Sequence, residues 1–362
     1  MILTIRLRLR DKHAAELNRQ ARAVNYVWNY VNEMQRKAVQ SGRKWLTAGD
    51  LQKLTAGSSK MLDINGHTIC KVCQHYDRSR RQNRRPWLRF RGRKSLGWVP
   101  FNQGAVAFDG IAFTFRGVRY TSMHIRAIPE GAIIRAGNFN QDAQSRWYIN
   151  IPIEVREASA APPAQVGIDL GLKNLATLSI GAQVVVPNFY RTSEAKIGTV
   201  QRARKTKRAR AIHAKIRNRR RDYLHKASTK LTKEFGLIVI GDVSPSRLSR
   251  TSMAKSVNDA GWYSFKRMLS YKSIRNGGNM VEVNERWTSQ TCSSCGSQDS
   301  PERPRGIAGI GIREWTCGGC GATHDRDVNA ARNILRRGLA TLAAGAAQMR
   351  SSQLAKLEKA NG

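Results

Sequence analysis

Four cysteines, Cys292, Cys295, Cys317 and Cys320, stand in the spacing C-x2-C-x21-C-x2-C. Two thiol pairs in knuckle spacing, about twenty residues apart, are the donor set of a tetrahedral structural Zn2+ in a zinc ribbon. A closed four-thiolate site has no open position for water, so this zinc would hold structure and leave chemistry to other residues. The next residues, "HDRDVNAARNIL", bring Asp325 and Asp327 to the start of a helical pattern. Far upstream, Asp169 ends an apolar strand pattern in "GIDLG". Each aspartate has an ordinary reading, Asp169 as a turn former and Asp327 as a helix N-cap. If the fold brings the first strand beside the last helix, they become hard oxygen ligands for Mg2+ or Mn2+. A pair of such ions suits the attacking water and leaving oxygen of a phosphodiester. Asp325 is either an auxiliary ligand or a turn residue.

The composition says what such a site would act on. Lys and Arg number 63 against 25 Asp and Glu, giving a net charge of +38 over 362 residues. A surface so charged attracts polyanions, and nucleic acid is the polyanion that also uses interleaved aromatics. "RSRRQNRRPWLRFRGRK", residues 78–94, holds nine Lys and Arg with Trp87 and Phe90 and no acid. Its candidate nucleic-acid contacts are Arg80, Arg81, Arg84, Arg85, Trp87 and Arg89. "QRARKTKRARAIHAKIRNRRR", residues 201–221, holds eleven Lys and Arg and again no acid. Arg204, Arg208, Arg217 and Arg220 are the candidates there, on a helix docked through Ile212, Ile216, Tyr223, Ala227 and Leu231. Cys70 and Cys73 have no second pair nearby and read as small core residues of a helix. The paired cysteines and the lack of a leader pattern imply a reducing, intracellular compartment. No apolar run approaches a membrane span.

The elements that must position these residues fall into two groups. "LTIRLRLR" alternates as a half-buried strand with a basic outer face, and residues 12–85 turn helical with Val24, Val27, Trp28, Val31 and Met34 on one stripe. Short strands follow, including a hairpin at Asp109-Gly110 and "RWYINIPIEV", which are expected to close a small barrel with the N-terminal strand. "REASAAPPAQ", residues 156–165, reads as a linker. After it come three meander strands, a basic helical region, the strand "GLIVIGDV", a helix, and the strand "MVEVNE". That is the element order of a ribonuclease H-like fold, with "GLIVIGDV" beside "QVGIDLG" and "MVEVNE" outside it.

"GIDLGLKNLATLS", "TSQTCSSCG…CGGCG" and "HDRDVNAARNIL" together resemble the RuvC-like nuclease core and zinc ribbon of the transposon-associated TnpB family, which is ancestral to type V CRISPR effectors. The resemblance is firm over the C-terminal half and looser before it. It implies a multidomain α+β chain: a small β-barrel wedge domain with an inserted helical recognition lobe, then a RuvC-like α/β nuclease domain with an inserted four-cysteine ribbon. The expected boundaries are wedge strand 1–10, recognition lobe 11–91, wedge barrel 92–157, nuclease domain 158–288, ribbon 289–323, last nuclease helix 324–340, and a disordered or RNA-binding tail 341–362. The family implies an RNA-guided, Mg2+-dependent DNA endonuclease. Its guide RNA comes from the transposon end, its double-stranded target lies next to a short flanking motif, and a monomer is expected.

By motif position Asp169 is the first catalytic carboxylate and Asp327 the last. The chain departs from the family at the middle strand, where "VIGDV" puts Gly241 at the position of the usual glutamate. Asp242 points to the opposite strand face and cannot simply replace it. Either Glu285, at the end of the neighbouring strand, supplies the third ligand, or Asp242 does, or none remains. The last case would leave a guided DNA-binding protein that does not cut. A protein-only transposase is a further possibility on this core.

Overall fold

The computed structural model describes residues 2–124, 127–129, 131–155, 160–243, 254–299, 301–305 and 308–360. It divides into two compact units, residues 1–156 and 157–362. The first four residues of the expected linker, 156–159, lie outside the described residues, as do positions 300 and 306–307 of the loop between the cysteine pairs.

In the first unit, strand β1 (Ile2–Arg8) is followed by helices α1 (Ala14–Gln40), α2 (Ala48–Leu54), α3 (Ser58–Leu62) and α4 (Gly66–Gln82). Strands β2 (Trp98–Phe101), β3 (Val106–Phe108), β4 (Ala112–Phe115), β5 (Val118–Thr121), β6 (Ile133–Ile134), β7 (Gly137–Gln141) and β8 (Trp147–Glu154) complete it. The alternation of β1 finds its partner in β8, antiparallel from Ile2 opposite Glu154 to Arg8 opposite Tyr148. The expected single barrel is instead two sheets, β1-β8-β7-β2 with β6 on β8, and β3-β4-β5. A lone bridge from Leu9 to Ser122 links them. Both sheets bury large side chains in one core, including Phe101, Phe113, Phe115, Tyr120, Phe139 and Ile149. Helix α1, about 40 Å long at 1.5 Å per residue, serves two cores. Leu17 and Ala21 pack with the strands, while Val24, Val27, Trp28 and Val31 pack with Val72, Cys73 and Tyr76 of α4. The hairpin at Asp109-Gly110 forms as expected, with Asp109 Oδ1 accepting the N–H of Ile111 and Ala112 and Gly110 at φ +90°.

The second unit opens with β9 (Ala164–Asp169), β10 (Asn174–Leu178) and β11 (Gln183–Val185), then α5 (Glu194–Arg202) and α6 (Thr206–Glu234). Arg204, at φ +51°, separates the two helices, so the basic region is not one continuous helix. Strand β12 (Phe235–Gly241), helices α7 (Ala254–Ala260) and α8 (Trp262–Arg275), and β13 (Asn279–Val283) follow. The small hairpin β14 (Glu314–Thr316) and β15 (Thr323–Asp325) leads into α9 (Arg326–Ala360). The sheet order is β11-β10-β9-β12-β13, with β12 parallel to both β9 and β13, so the expected neighbours are the observed ones. One sheet face packs against α6, α7 and α8 through Leu224, Leu231, Val257, Phe265 and Leu269.

Helix α9 covers the opposite face. It approaches so closely that a Cβ on Gly167 of β9 would lie 2.0 Å from the carbonyl oxygen of Ala331. A glycine is therefore required where the helix crosses the strand. The segment from 341, expected as a disordered or RNA-binding tail, continues this helix to Ala360; residues 361–362 lie outside the described residues.

Candidate functional site

Three carboxylates meet at the carboxyl end of the central strands. Asp169 is the last residue of β9. Asp327 lies in the first turn of α9, which crosses β9 at Gly167. Glu285 lies two residues beyond β13, whose Val283 is level with Gly241 on β12. A Cβ on Gly241 would lie 2.5 Å from Glu285 Oε2 and 3.1 Å from Glu285 Cβ. The space the missing side chain would occupy is filled by the glutamate of the adjacent strand.

The electrostatics place the three together. Burial pushes the Asp169 carboxyl well above the usual carboxylate range, and the charges of Asp327 and Glu285 push it further, while Arg326 acts in the opposite sense. Burial also raises Glu285, with Asp242 adding to the shift; Lys266 and the Val243 N–H lower it. A carboxyl raised by burial and by two acidic neighbours, as Asp169 is, ionises more readily beside a cation, and oxygen donors suit Mg2+ or Mn2+. Arginine side chains supply positive charge at Asp327. Arg313 Nη1 reaches Oδ2 at 3.0 Å and Arg326 Nη2 reaches Oδ1 at 2.9 Å. Arg313 comes from just before β14, and its carbonyl accepts the N–H of Arg326 at 2.7 Å.

Asp242 and Asp325 act on backbone. Asp242 Oδ1 accepts the N–H of Glu285 at 3.1 Å, while the N–H of Asp242 donates to Val283. It clamps the turn that carries Glu285. Asp325 Oδ1 accepts the N–H groups of Asp327 and Val328 at 3.0 and 2.8 Å. It is therefore Asp325 that caps α9, which frees the Asp327 carboxylate from the N-cap role open to it in the sequence.

The four cysteine sulfurs all lie within 4.8 Å of one another. Cys292–Cys320 and Cys295–Cys317 are each 3.7 Å apart. A regular ZnS4 tetrahedron with Zn–S of about 2.3 Å needs S···S of about 3.8 Å, so the cluster fits the ion. Burial opposes ionisation of Cys292, but the N–H groups of Cys295 and Ser294 and the ring of His324 bring its thiol down to about 5. His324, buried on β15, holds its Nε2 3.0 Å from Cys292 Sγ and packs at a tilt against Trp315, with ring centres 5.1 Å apart.

Two buried asparagines bind this knuckle to α9. Asn329 and Asn333 both donate to the carbonyls of Thr288 and Thr291, and Asn329 Oδ1 accepts the N–H of Ser293. Thr288 in turn donates its N–H and hydroxyl to the Glu285 carbonyl. One hydrogen-bonded chain thus runs from the Asp327 helix to the Glu285 turn. The sequence reading missed His324, Asn329 and Asn333. The signal for the asparagines was their i, i+4 spacing on the helix face that carries Ala330 and Ile334, where they must be satisfied if buried; nothing local marked His324.

The basic candidates divide. Arg81 is exposed in the last turn of α4, where its Nε pairs with Asp77 at 2.8 Å. Arg84, Arg85, Trp87 and Arg89 are exposed on the following loop, which is held by Trp28, Asn29 and Asn32 of α1 through backbone atoms of Leu88, Arg89 and Arg91. Arg80 is a correction: it has no exposed surface. It pairs with Asp77 at 2.7 Å, donates to the Leu46 carbonyl and lies 4.6 Å from the Trp45 ring centre. Its helix position faces the core, so it fixes α4 instead of gripping a phosphate. Arg204, Arg208 and Arg217 are exposed. Arg220 is also a correction, since its Nη2 is committed at 2.6 Å to the buried Asp259 of α7. No described helix is long and apolar enough to cross a membrane.

Residues 262–334 match the family described as "Cas12f1-like, TNB domain", and residues 149–251 that described as "Probable transposase". A Streptomyces pristinaespiralis protein named "Putative RNA-guided DNA endonuclease" is 32% identical over 373 residues, covering 92% of this chain and 88% of that one. The Escherichia coli K12 protein "Putative RNA-guided DNA endonuclease InsQ" is 33% identical over 230 residues, 55% of this chain and 56% of that one. "TnpB-like protein L79" of Acanthamoeba polyphaga mimivirus is 28% identical over 201 residues, 48% and 37% of the two chains. The structure described as "Cryo-EM structure of the Cas12f1-sgRNA-target DNA complex" aligns over 92% of this chain and 99% of that chain. Its TM-score is 0.36 and its identity 13%. With identity sustained along 88% of that Streptomyces relative, and with the sheet-end aspartate, the cysteine knuckles and the capped last helix in order, the chain belongs to the TnpB-like family of RNA-guided DNA endonucleases.

Proposed function

We propose that the chain binds a guide RNA and cuts complementary double-stranded DNA beside a short flanking motif, by Mg2+-dependent hydrolysis of phosphodiesters. The observation that carries this reading is Glu285 filling the space over Gly241, at the same end of the sheet as Asp169 and Asp327. It gives a chain without the usual middle-strand glutamate a third carboxylate. The names of its relatives give the guided DNA substrate, and the net charge of +38 supplies the attraction for two polyanions.

On this reading Asp169, Glu285 and Asp327 hold the divalent ions, which when bound supply an activated water and stabilise the leaving oxygen. Asp242 holds the Glu285 amide, Asp325 caps the Asp327 helix, and Asn329 and Asn333 fix the two segments to each other. Arg313 and Arg326 hold the Asp327 carboxylate in place and put positive charge beside the position a phosphate would take. Cys292, Cys295, Cys317 and Cys320 would hold a structural Zn2+, stiffening the hairpin that Arg313 leads into. The first unit is assigned to the wedge and helical recognition lobe. Residues 158–288 and 324–340 are the RuvC-like domain and residues 289–323 the zinc ribbon. Exposed Arg81, Arg84, Arg85, Trp87, Arg89, Arg204, Arg208 and Arg217 face nucleic acid. The protein works as a monomer in the bacterial cytoplasm.

The rival reading, a guided binder that does not cut, takes Gly241 as a lost ligand; the Glu285 packing argues against it. Protein co-expressed with its neighbouring transcript separates these readings. Guided cutting of a plasmid bearing a matched target should require Mg2+ and disappear on ribonuclease treatment. Cutting that persists without RNA would identify a protein-only enzyme, and RNA-dependent binding without cutting would identify the binder.

A further inference from the structure

Two residues beyond Glu285, Trp287 leaves 47% of its surface exposed and belongs to none of the buried hydrophobic clusters. Its backbone is left-handed, at φ +68°, a conformation bulky side chains adopt rarely. Both flanks are locked. The Trp287 carbonyl accepts the N–H of Gln290 and the N–H and hydroxyl of Thr291. On the other side the Glu285 carbonyl accepts the N–H and hydroxyl of Thr288. The turn therefore imposes the strained conformation and keeps the indole at the surface, where it gains no core burial. Arg286 lies over the ring at 4.9 Å from its centre, leaving an aromatic face and a guanidinium side by side.

An exposed indole joined to a cation is the pairing that stacks an unpaired base and neutralises its phosphate. Here the pairing is built into the tight turn that carries the third carboxylate. Resting on the nuclease reading above, we infer that Trp287, with Arg286, is a stacking platform for an unpaired nucleobase of the DNA strand entering the active site. It holds the scissile phosphate in register with Glu285. A strand held only by its backbone would slide along the basic surface. One stacked base fixes which phosphate meets the carboxylates, so the residue positions the cut without touching the reacting atoms.

The test uses the full guided complex and a target strand carrying 5-iodouracil at successive positions around the cut, irradiated and mapped by mass spectrometry. A crosslink to Trp287 from one or two positions beside the cut is expected. Trp287→Phe should keep cleavage within about threefold, while Trp287→Ala should lower single-turnover cleavage roughly 10- to 100-fold with RNA binding and target binding unchanged. The phenylalanine variant separates loss of stacking from disruption of the turn. In Trp287→Ala the cut positions should spread over neighbouring phosphates. No crosslink at Trp287, with Trp287→Ala cutting at the wild-type rate and positions, overturns the inference. A wild-type complex that crosslinks at Trp287 yet never cuts upholds the stacking site and overturns the nuclease reading instead.

Discussion

Replacing Gly241 by alanine adds a single methyl group, yet the structure gives it a large effect on cutting and a small one on folding. The new Cβ would lie 2.5 Å from Glu285 Oε2 and 3.1 Å from its Cβ, while the next neighbour, Ile334 Cδ1, is 3.4 Å away. A comfortable carbon–oxygen contact is roughly 3.3 Å, near the optimum of dispersion contacts, so the carboxylate must retreat by close to 1 Å. Misplacing a reacting group by about 1 Å costs on the order of 100-fold in rate, equivalent to about 2.7 kcal/mol in the barrier. The backbone has no reason to object, because alanine suits a strand interior better than glycine. We therefore expect Gly241→Ala to lower single-turnover plasmid cleavage about 100-fold, with Tm within a few degrees of wild type and guide binding intact. Gly241→Glu combined with Glu285→Ala, which returns the glutamate to the middle strand, should recover part of the loss. Cleavage by Gly241→Ala at the wild-type rate would refute the reasoning, because no ligand could then be sitting where the structure puts Glu285.

The other predictions concern the supports of the site. His324→Ala should weaken Zn2+ binding about 10- to 100-fold in competition with a chromogenic chelator, since it removes the Nε2 contact to Cys292; unchanged affinity would make His324 a packing residue only. Arg217→Gln should leave Tm unchanged and reduce the slope of log affinity for RNA against log salt by about 0.7 to 0.9. Arg220→Gln should instead destabilise the fold by about 3 kcal/mol in denaturant titration, because it takes the cation from the fully buried Asp259 carboxylate and leaves the Tyr190 N–H on its other oxygen. The acidic site should also be visible in the pH dependence of stability without added divalent metal. The folded-state pKa of Asp169 is raised, so the folded protein holds its proton more tightly than the unfolded chain does. Stability from this group is full below the unfolded value of about 4 and is lost as pH rises toward the folded value. Asp169→Asn should flatten that fall in Tm relative to wild type, and Mg2+ should offset it in wild type alone. Parallel pH curves for the two proteins would contradict the burial of that carboxyl among acids.

How much of this was legible in the sequence depended on whether a residue's role followed from its own neighbourhood. Asp169 followed from an apolar strand broken by glycine, and the cysteines from their spacing. The sheet neighbours followed from the order of apolar runs. Glu285 was reachable only through the family resemblance, which marks Gly241 as the place of the usual glutamate; strand neighbourhood then pointed to Glu285, and Val283 opposite Gly241 puts it just past the strand end. Other features were set by tertiary contacts that no local pattern records. Arg80 and Arg220 sit in basic runs that look uniformly solvated, but one faces a helical core and the other a buried aspartate. The N-terminal strands alternate as barrel strands do, but turns at Arg116-Gly117 and Asp109-Gly110 close three of them into a separate sheet. The spacing of Asn329 and Asn333 signalled buried polar groups but not their partners, which lie some forty residues away on the cysteine knuckle.

The most direct test of the account is cleavage of a target plasmid with Mg2+ by guide-loaded wild type, Glu285→Ala and Asp242→Ala, each checked for bound RNA. Wild type should cut, Asp242→Ala should cut more slowly because it only clamps the Glu285 amide, and Glu285→Ala should not cut. Wild-type protein that binds its target without cutting it, or Glu285→Ala that cuts like wild type, would contradict the claim that a neighbouring strand completes this active site.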